Sequence, residues 1–294
     1  MADISYTRRI GDRREGRRIR SLDPIFNFIP FIMRARNDAC NSFSDALDVT
    51  DIDGWLREKR AEGYKGLGML HLFIAAYVRT VAYCPGLNRF IAGQRIYSRK
   101  DIQVIMSVKR EMSTSATETS IKIYFEPTDT VFDVYRKMNE KIDEIKANDG
   151  ANGTENTAAA LTRMPRLILR LCISLLNLLD YFDKLPQSLL DVSPFHGSMI
   201  ITDMGSLGIP PVYHHIYNFG NLPVFLSFGA RRHAVEVDRQ GNLSERKYVD
   251  FCAVTDERIC DGYYYATAFK HIKYFLRNPQ LLELPPEDVK EDIF

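Results

Sequence analysis

The seven residues Asp256-Glu257-Arg258-Ile259-Cys260-Asp261-Gly262 constrain this chain more than any other segment. They stand between an apolar run, Tyr248 to Val254, and a run with helical spacing, Tyr263 to Leu276, which Pro279 stops. A strand therefore leads straight into a turn that carries three carboxylates and one guanidinium, and the turn opens a helix.

The rest of the chain mixes strands and helices in the same way. Asp23 to Met33, with Pro24 and Pro30, suggests a turn and a short helix. Asn41 to Val49 reads as a strand, and Asp51 or Asp53 is placed to cap a helix starting near Trp55. Met69 to Tyr83 has the spacing of a buried helix that Pro85-Gly86 ends. Gln94 to Tyr97 and Ile102 to Val108 alternate and are expected to pair with each other. Ile121 to Phe125 is a further strand, and Thr130 to Ile145 a helix with Thr128 or Asp129 as its cap. After a Gly/Asn-rich loop at 148–157, Ser198 to Asp203 and Leu222 to Phe228 are strands. No repeat or linker divides the chain, so one mixed α/β domain over 25–294 is expected.

An arginine-rich arm, 1–24, precedes it, with Arg8, Arg9, Arg13, Arg14, Arg17, Arg18 and Arg20. Asp12 and Glu15 interrupt the arm, and Tyr6 is its single base-stacking ring, which argues against a nucleic-acid arm. A packed segment or one clamping a partner is expected. The net charge of +1 gives no global attraction to nucleic acid or an anionic membrane. Five scattered cysteines, without a C-x-x-C pair or Cys/His zinc spacing, fit reduced thiols in a cytoplasm and no metal. Leu167 to Leu179, bounded by Arg166 and Asp180 and broken by Arg170, is too short for a bilayer. It is expected to be buried or covered by a partner; membrane association is not expected.

Three segments in chain order resemble one family. They are Pro85-Gly86-Leu87-Asn88-Arg89-Phe90, Ile200-Ile201-Thr202-Asp203-Met204-Gly205-Ser206-Leu207-Gly208, and Asp256 to Gly262. They resemble the P-x-L-N, T-I-S-N-x-G-x-x-G and D-H-R-x-x-D-G elements of chloramphenicol acetyltransferase and the acyltransferase component of 2-oxoacid dehydrogenase complexes. The resemblance spans roughly Ile25 to Leu284. It implies a mixed-sheet α/β two-layer sandwich of the chloramphenicol acetyltransferase-like type. It also implies assembly as a homotrimer, with an active-site channel between neighbouring subunits.

By the same resemblance, Glu257 stands where the family has its general-base histidine. A base acting near neutral pH should titrate near neutrality, which imidazole does at about 6.5 and a carboxylate, at about 4.3, does only when shielded. Thr202 matches the hydroxyl that stabilises the oxyanion. Asp203 replaces the usual asparagine and is a weaker substrate-binding candidate. Asp261 matches an aspartate that pairs with an arginine, here Arg17, Arg18 or Arg258, and Gly262 the glycine of the close turn before the helix. His215 or its neighbour His214 either stands in for the missing base or packs in a turn.

The expected function is that of a stand-alone acyltransferase, without a lipoyl domain, that uses coenzyme A or acyl-CoA as substrate and a small hydroxyl or thiol acceptor. The alternative is a catalytically degenerate trimer serving as a scaffold or small-molecule binder.

Overall fold

The computed structural model describes residues 8–109, 118–147 and 161–293. Tyr6 and the loop expected at 148–157 lie outside the described residues.

The central sheet has six strands in the order β2-β9-β8-β7-β5-β6. They are β2 (Cys40–Asp48), β5 (Ile102–Lys109), β6 (Glu118–Phe125), β7 (Met199–Asp203), β8 (Val224–Val237) and β9 (Leu243–Asp256). β7 is parallel to both β5 and β8, and the other pairings are antiparallel, so the sheet is mixed. A second sheet, β1 (Gly16–Arg18), β4 (Arg95–Arg99) and β3 (Arg89–Ala92), lies apart from it. The pairing expected between 94–97 and 102–108 does not form. Gly93 and Gln94 both have positive φ (54° and 59°), the geometry of a tight hairpin turn, and fold β4 back on β3 instead.

Seven α-helices complete the described fold: α1 (Pro24–Ile32), α2 (Ile52–Ala61), α3 (Met69–Tyr83), α4 (Val131–Ala147), α5 (Arg166–Tyr181), α6 (Gln187–Val192) and α7 (Gly262–Arg277). α3 is the buried centre, with residues on every side of it out of water. Phe73 of α3 stacks on Phe228 of β8 at 4.7 Å, and Ala268 and Ile272 bring α7 into the same core. One sheet face thus carries Met199, Ile201, Leu226 and Ala253 toward the helices. The strand period of two turns Ile200, Thr202, Phe225, Ser227, Cys252 and Val254 to the opposite face.

The helix starts differ in detail from expectation. Asp51 occupies the N-cap of α2 but makes no side-chain bond, and Asp53 instead pairs with Arg231. For α4 the cap is Thr130, whose Oγ1 accepts from the Asp133 N–H at 3.2 Å; Asp129 binds Lys137. The arginine-rich segment is packed: Arg13 and Glu15 are buried, and β1 pairs with β4. No described helix is long and apolar enough to cross a membrane.

Candidate active site

Strand β9 ends at Asp256, and the polypeptide is pinned there. The Asp256 carboxylate receives Arg258 Nε at 2.7 Å and Nη2 at 2.6 Å, and lies 3.4 Å from Arg36 Nε. All three side chains are buried. The remaining donors of the two arginines tie in other segments. Arg36 reaches the carbonyls of Tyr217 and Gly220, both at 2.7 Å, and Arg258 reaches that of Met33 at 2.9 Å. Tyr265 of α7 donates its hydroxyl to the Asp256 carbonyl at 2.8 Å. Burial draws the Arg36 guanidinium below its ordinary range, while Asp256 works against that shift.

Glu257 follows directly, its N–H bound to the Ala39 carbonyl at 2.9 Å, so its backbone is anchored to the end of β2. Its side chain is half-buried. Among the described residues its carboxylate has no hydrogen bond and no ion pair.

Asp261 is arranged differently from the buried, arginine-paired carboxylate expected. It is exposed and caps α7, its carboxylate accepting from Tyr264 N–H at 2.7 Å. It enters no ion pair among the described residues. Arg258 is committed to Asp256, and Arg18 lies in β1 with its N–H on Asp12. The reason is chain direction: Asp256 points inward from the strand end, whereas Asp261 has already reached the helix N-terminus at the surface. Nor is Gly262 needed for a close turn, since its φ is not positive and a Cβ there meets nothing within 4 Å. The tight glycine is Gly86, where a Cβ would fall 2.7 Å from the Tyr264 ring and whose N–H binds the Tyr264 hydroxyl.

Thr202 sits on the open sheet face, half-buried, level with Ser227 of β8 and Cys252 of β9. Its hydroxyl has no hydrogen-bond partner among the described residues. Asp203 turns the chain: its carboxylate accepts from Ser206 N–H at 2.9 Å, and burial raises its pKa. The loop after it lies over the same face. Val212 N–H donates to Ser227 Oγ at 3.1 Å, and Ile216 packs on Phe225 and Val254. His214 stacks flat on Phe225 at 4.2 Å and against His215 at 4.5 Å, with His215 exposed. The histidines thus pack on the sheet beyond Thr202.

Thr202 and Glu257 do not meet within the chain. β7 and β9 run antiparallel, so the strand ends carrying these residues point in opposite directions along the sheet. Thr202 is level with Cys252, five residues before Glu257, or about 16 Å along a strand at ~3.3 Å per residue. Sequence reasoning missed Arg36 and the role of Asp256, because Arg36 lies far upstream in a segment without a motif. Ser227 was legible only as one position in an apolar strand. No group of three or more His, Cys, Asp or Glu among the described residues could hold a metal ion.

The fold defined by this sheet, its helical layer and the strand–turn–helix at 256–262 is that of chloramphenicol acetyltransferase-like acyltransferase catalytic domains. No family model and no curated protein matches the chain by sequence. Among solved structures, the dihydrolipoamide acetyltransferase of Azotobacter vinelandii is 13% identical, with a TM-score of 0.58 and 96% of both chains covered. It was solved to investigate a serine, a histidine and an asparagine in its catalytic mechanism. The cubic core of a pyruvate dehydrogenase multienzyme complex is also 13% identical, with a TM-score of 0.51 and 96% of each chain covered. A chloramphenicol acetyltransferase is 14% identical, with a TM-score of 0.51, over 85% of this chain and 93% of that one.

Proposed function

We propose that this protein is a CoA-dependent acyltransferase that moves an acyl group from a thioester to a hydroxyl or thiol acceptor, with Glu257 as base. The observation that carries this reading is the contrast between Glu257 and its surroundings. Asp256, Arg258 and Arg36 are locked together, while the half-buried Glu257 carboxylate beside them has no partner among the described residues. Thr202, at the opposite strand end, likewise has a hydroxyl without a hydrogen-bond partner among the described residues. In the Azotobacter enzyme the histidine and asparagine stand four positions apart, as Glu257 and Asp261 do here, with the serine upstream, as Thr202 is.

Because Thr202 and Glu257 of one chain lie at opposite ends of antiparallel strands, the site requires two copies: Thr202 of one subunit faces Glu257 of the next in a trimer. The cubic core adopted by one fold neighbour supports this, since the corners of a cube are threefold axes. In the reaction, the Glu257 carboxylate takes the proton of the acceptor hydroxyl or thiol, whose oxygen or sulfur attacks the thioester carbonyl. The Thr202 hydroxyl donates to the developing oxyanion. Collapse breaks the carbon–sulfur bond, and the CoA thiolate recovers the proton from Glu257. Acyl-thioester and acceptor become acylated acceptor and free CoA.

The test is acyl transfer from a panel of acyl-CoA thioesters by wild type, Glu257→Gln and Glu257→His, with assembly followed by light scattering. Glu257→Gln removes turnover while the trimer persists, and Glu257→His restores it, because the motif around this position suits an imidazole. If neither wild type nor Glu257→His transfers any acyl group, the trimer is a scaffold or small-molecule binder instead. A monomer at micromolar concentration overturns the two-subunit site.

A further inference from the structure

Helix α5 was expected to be buried or covered by a partner; within the single chain it lies on the surface with no buried residue. Leu167, Leu171, Leu175 and Leu178 form an outward stripe at helical spacing, each between 52% and 82% exposed. Helix α1 repeats the pattern with Ile25, Phe28, Phe31 and Ile32, between 52% and 64% exposed. Phe31 and the end of α5, at Tyr181 and Phe182, border one recess, which Arg8, Arg13, Arg14 and Lys184 also line, so the two helices adjoin across a seam rich in positive charge. A patch of this kind on a soluble domain marks an interaction site.

The charge around it selects the partner. Arg163, Arg166 and Arg170 are exposed and form no ion pair among the described residues. No acidic residue occurs between 161 and 179. The first acids after the helix interior are already engaged, Asp180 with Arg13 at 2.5 Å and Asp183 with Arg8 at 2.6 Å. The surface therefore presents leucines beside uncompensated positive charge. A second copy laid α5 against α5 would oppose like charges, which is costly. An anionic bilayer offers acyl chains to the leucines and phosphates to the arginines at once. At 16 residues, α5 is about 24 Å long, short of the ~30 Å hydrocarbon core, so such a helix lies in the interface rather than across it.

We infer that α5, together with α1, seats this protein on an anionic lipid bilayer. The test is co-sedimentation of the full chain with vesicles of phosphatidylcholine alone and of phosphatidylcholine mixed with phosphatidylglycerol. Wild type sediments with the anionic vesicles and is released by raised salt. The double variant Leu171→Glu/Leu175→Glu, at exposed positions, stays in the supernatant. Arg166→Ala/Arg170→Ala binds the anionic vesicles roughly 30-fold more weakly. The proposal is overturned if wild type stays soluble with anionic vesicles at low salt, or if Leu171→Glu/Leu175→Glu sediments as well as wild type. It is equally overturned if the arginine variant and lipid charge make no difference. If light scattering shows that the leucine variant breaks a wild-type assembly into smaller species, a second copy covers α5 and the lipid surface is excluded.

Discussion

Arg258 grips Asp256 with two parallel bonds, Nε to Oδ1 at 2.7 Å and Nη2 to Oδ2 at 2.6 Å, both side chains out of water. Such fork-to-fork pairing fixes direction as well as distance. It is the anchor from which Glu257 projects, and Arg36 extends it to the loop at 217–220.

Asp256→Ala leaves both Arg36 and Arg258 buried without their carboxylate. The expected cost is about 3–5 kcal/mol, the range for breaking a buried pair from one side. Urea denaturation checks it; a cost below about 1 kcal/mol would show that the arginines find water instead.

Asp261→Ala removes a helix cap rather than a buried pair. The loss should be about 1 kcal/mol, with Asp261→Asn close to wild type because asparagine caps equally well. A loss as large as that of Asp256→Ala would place an arginine on Asp261 in the assembled protein.

Thr202→Ala should lower turnover by about 10²–10³ without changing the melting temperature, since the hydroxyl supports no contact in the described structure. Thr202→Ser should retain activity. Equal rates for the alanine and threonine proteins would remove Thr202 from the oxyanion site.

Burial holds the His71 imidazole down at about 4, with the nearby Arg60 charge acting in the same direction. It is folded in neutral form, Nδ1 accepting from Gly68 N–H at 3.1 Å. The unfolded chain takes up the proton near pH 6.5, the folded chain only near 4, so this contribution to stability is complete above 6.5 and vanishes as pH falls to 4. It amounts to about 3 kcal/mol. Denaturation midpoints for wild type and His71→Asn across that window should diverge, with the variant showing the flatter dependence.

Local patterns made much of the architecture legible. The apolar spacing of 69–83 marks α3 at its observed bounds, the alternation or apolar runs at 102–108, 121–125 and 248–254 fall within strands, and that at 198–203 begins one residue before β7. The turn at 256–262 was visible because its unusual charges stand between a strand and a helix. The spacing of Leu167 to Leu179 likewise revealed a helix, though not whether anything covers it.

Sequence alone determined the type and order of these elements, because a helix or strand answers to side chains a few positions apart. Tertiary structure decided which strands are neighbours and which charge meets which. It set β4 against β3 rather than β5, and brought Arg36 to Asp256 across 220 positions. It also set Thr202 and Glu257 at opposite ends of antiparallel strands. Those outcomes follow from strand direction and chain crossing, which no local spacing encodes, and a buried carboxylate takes whichever guanidinium the fold delivers.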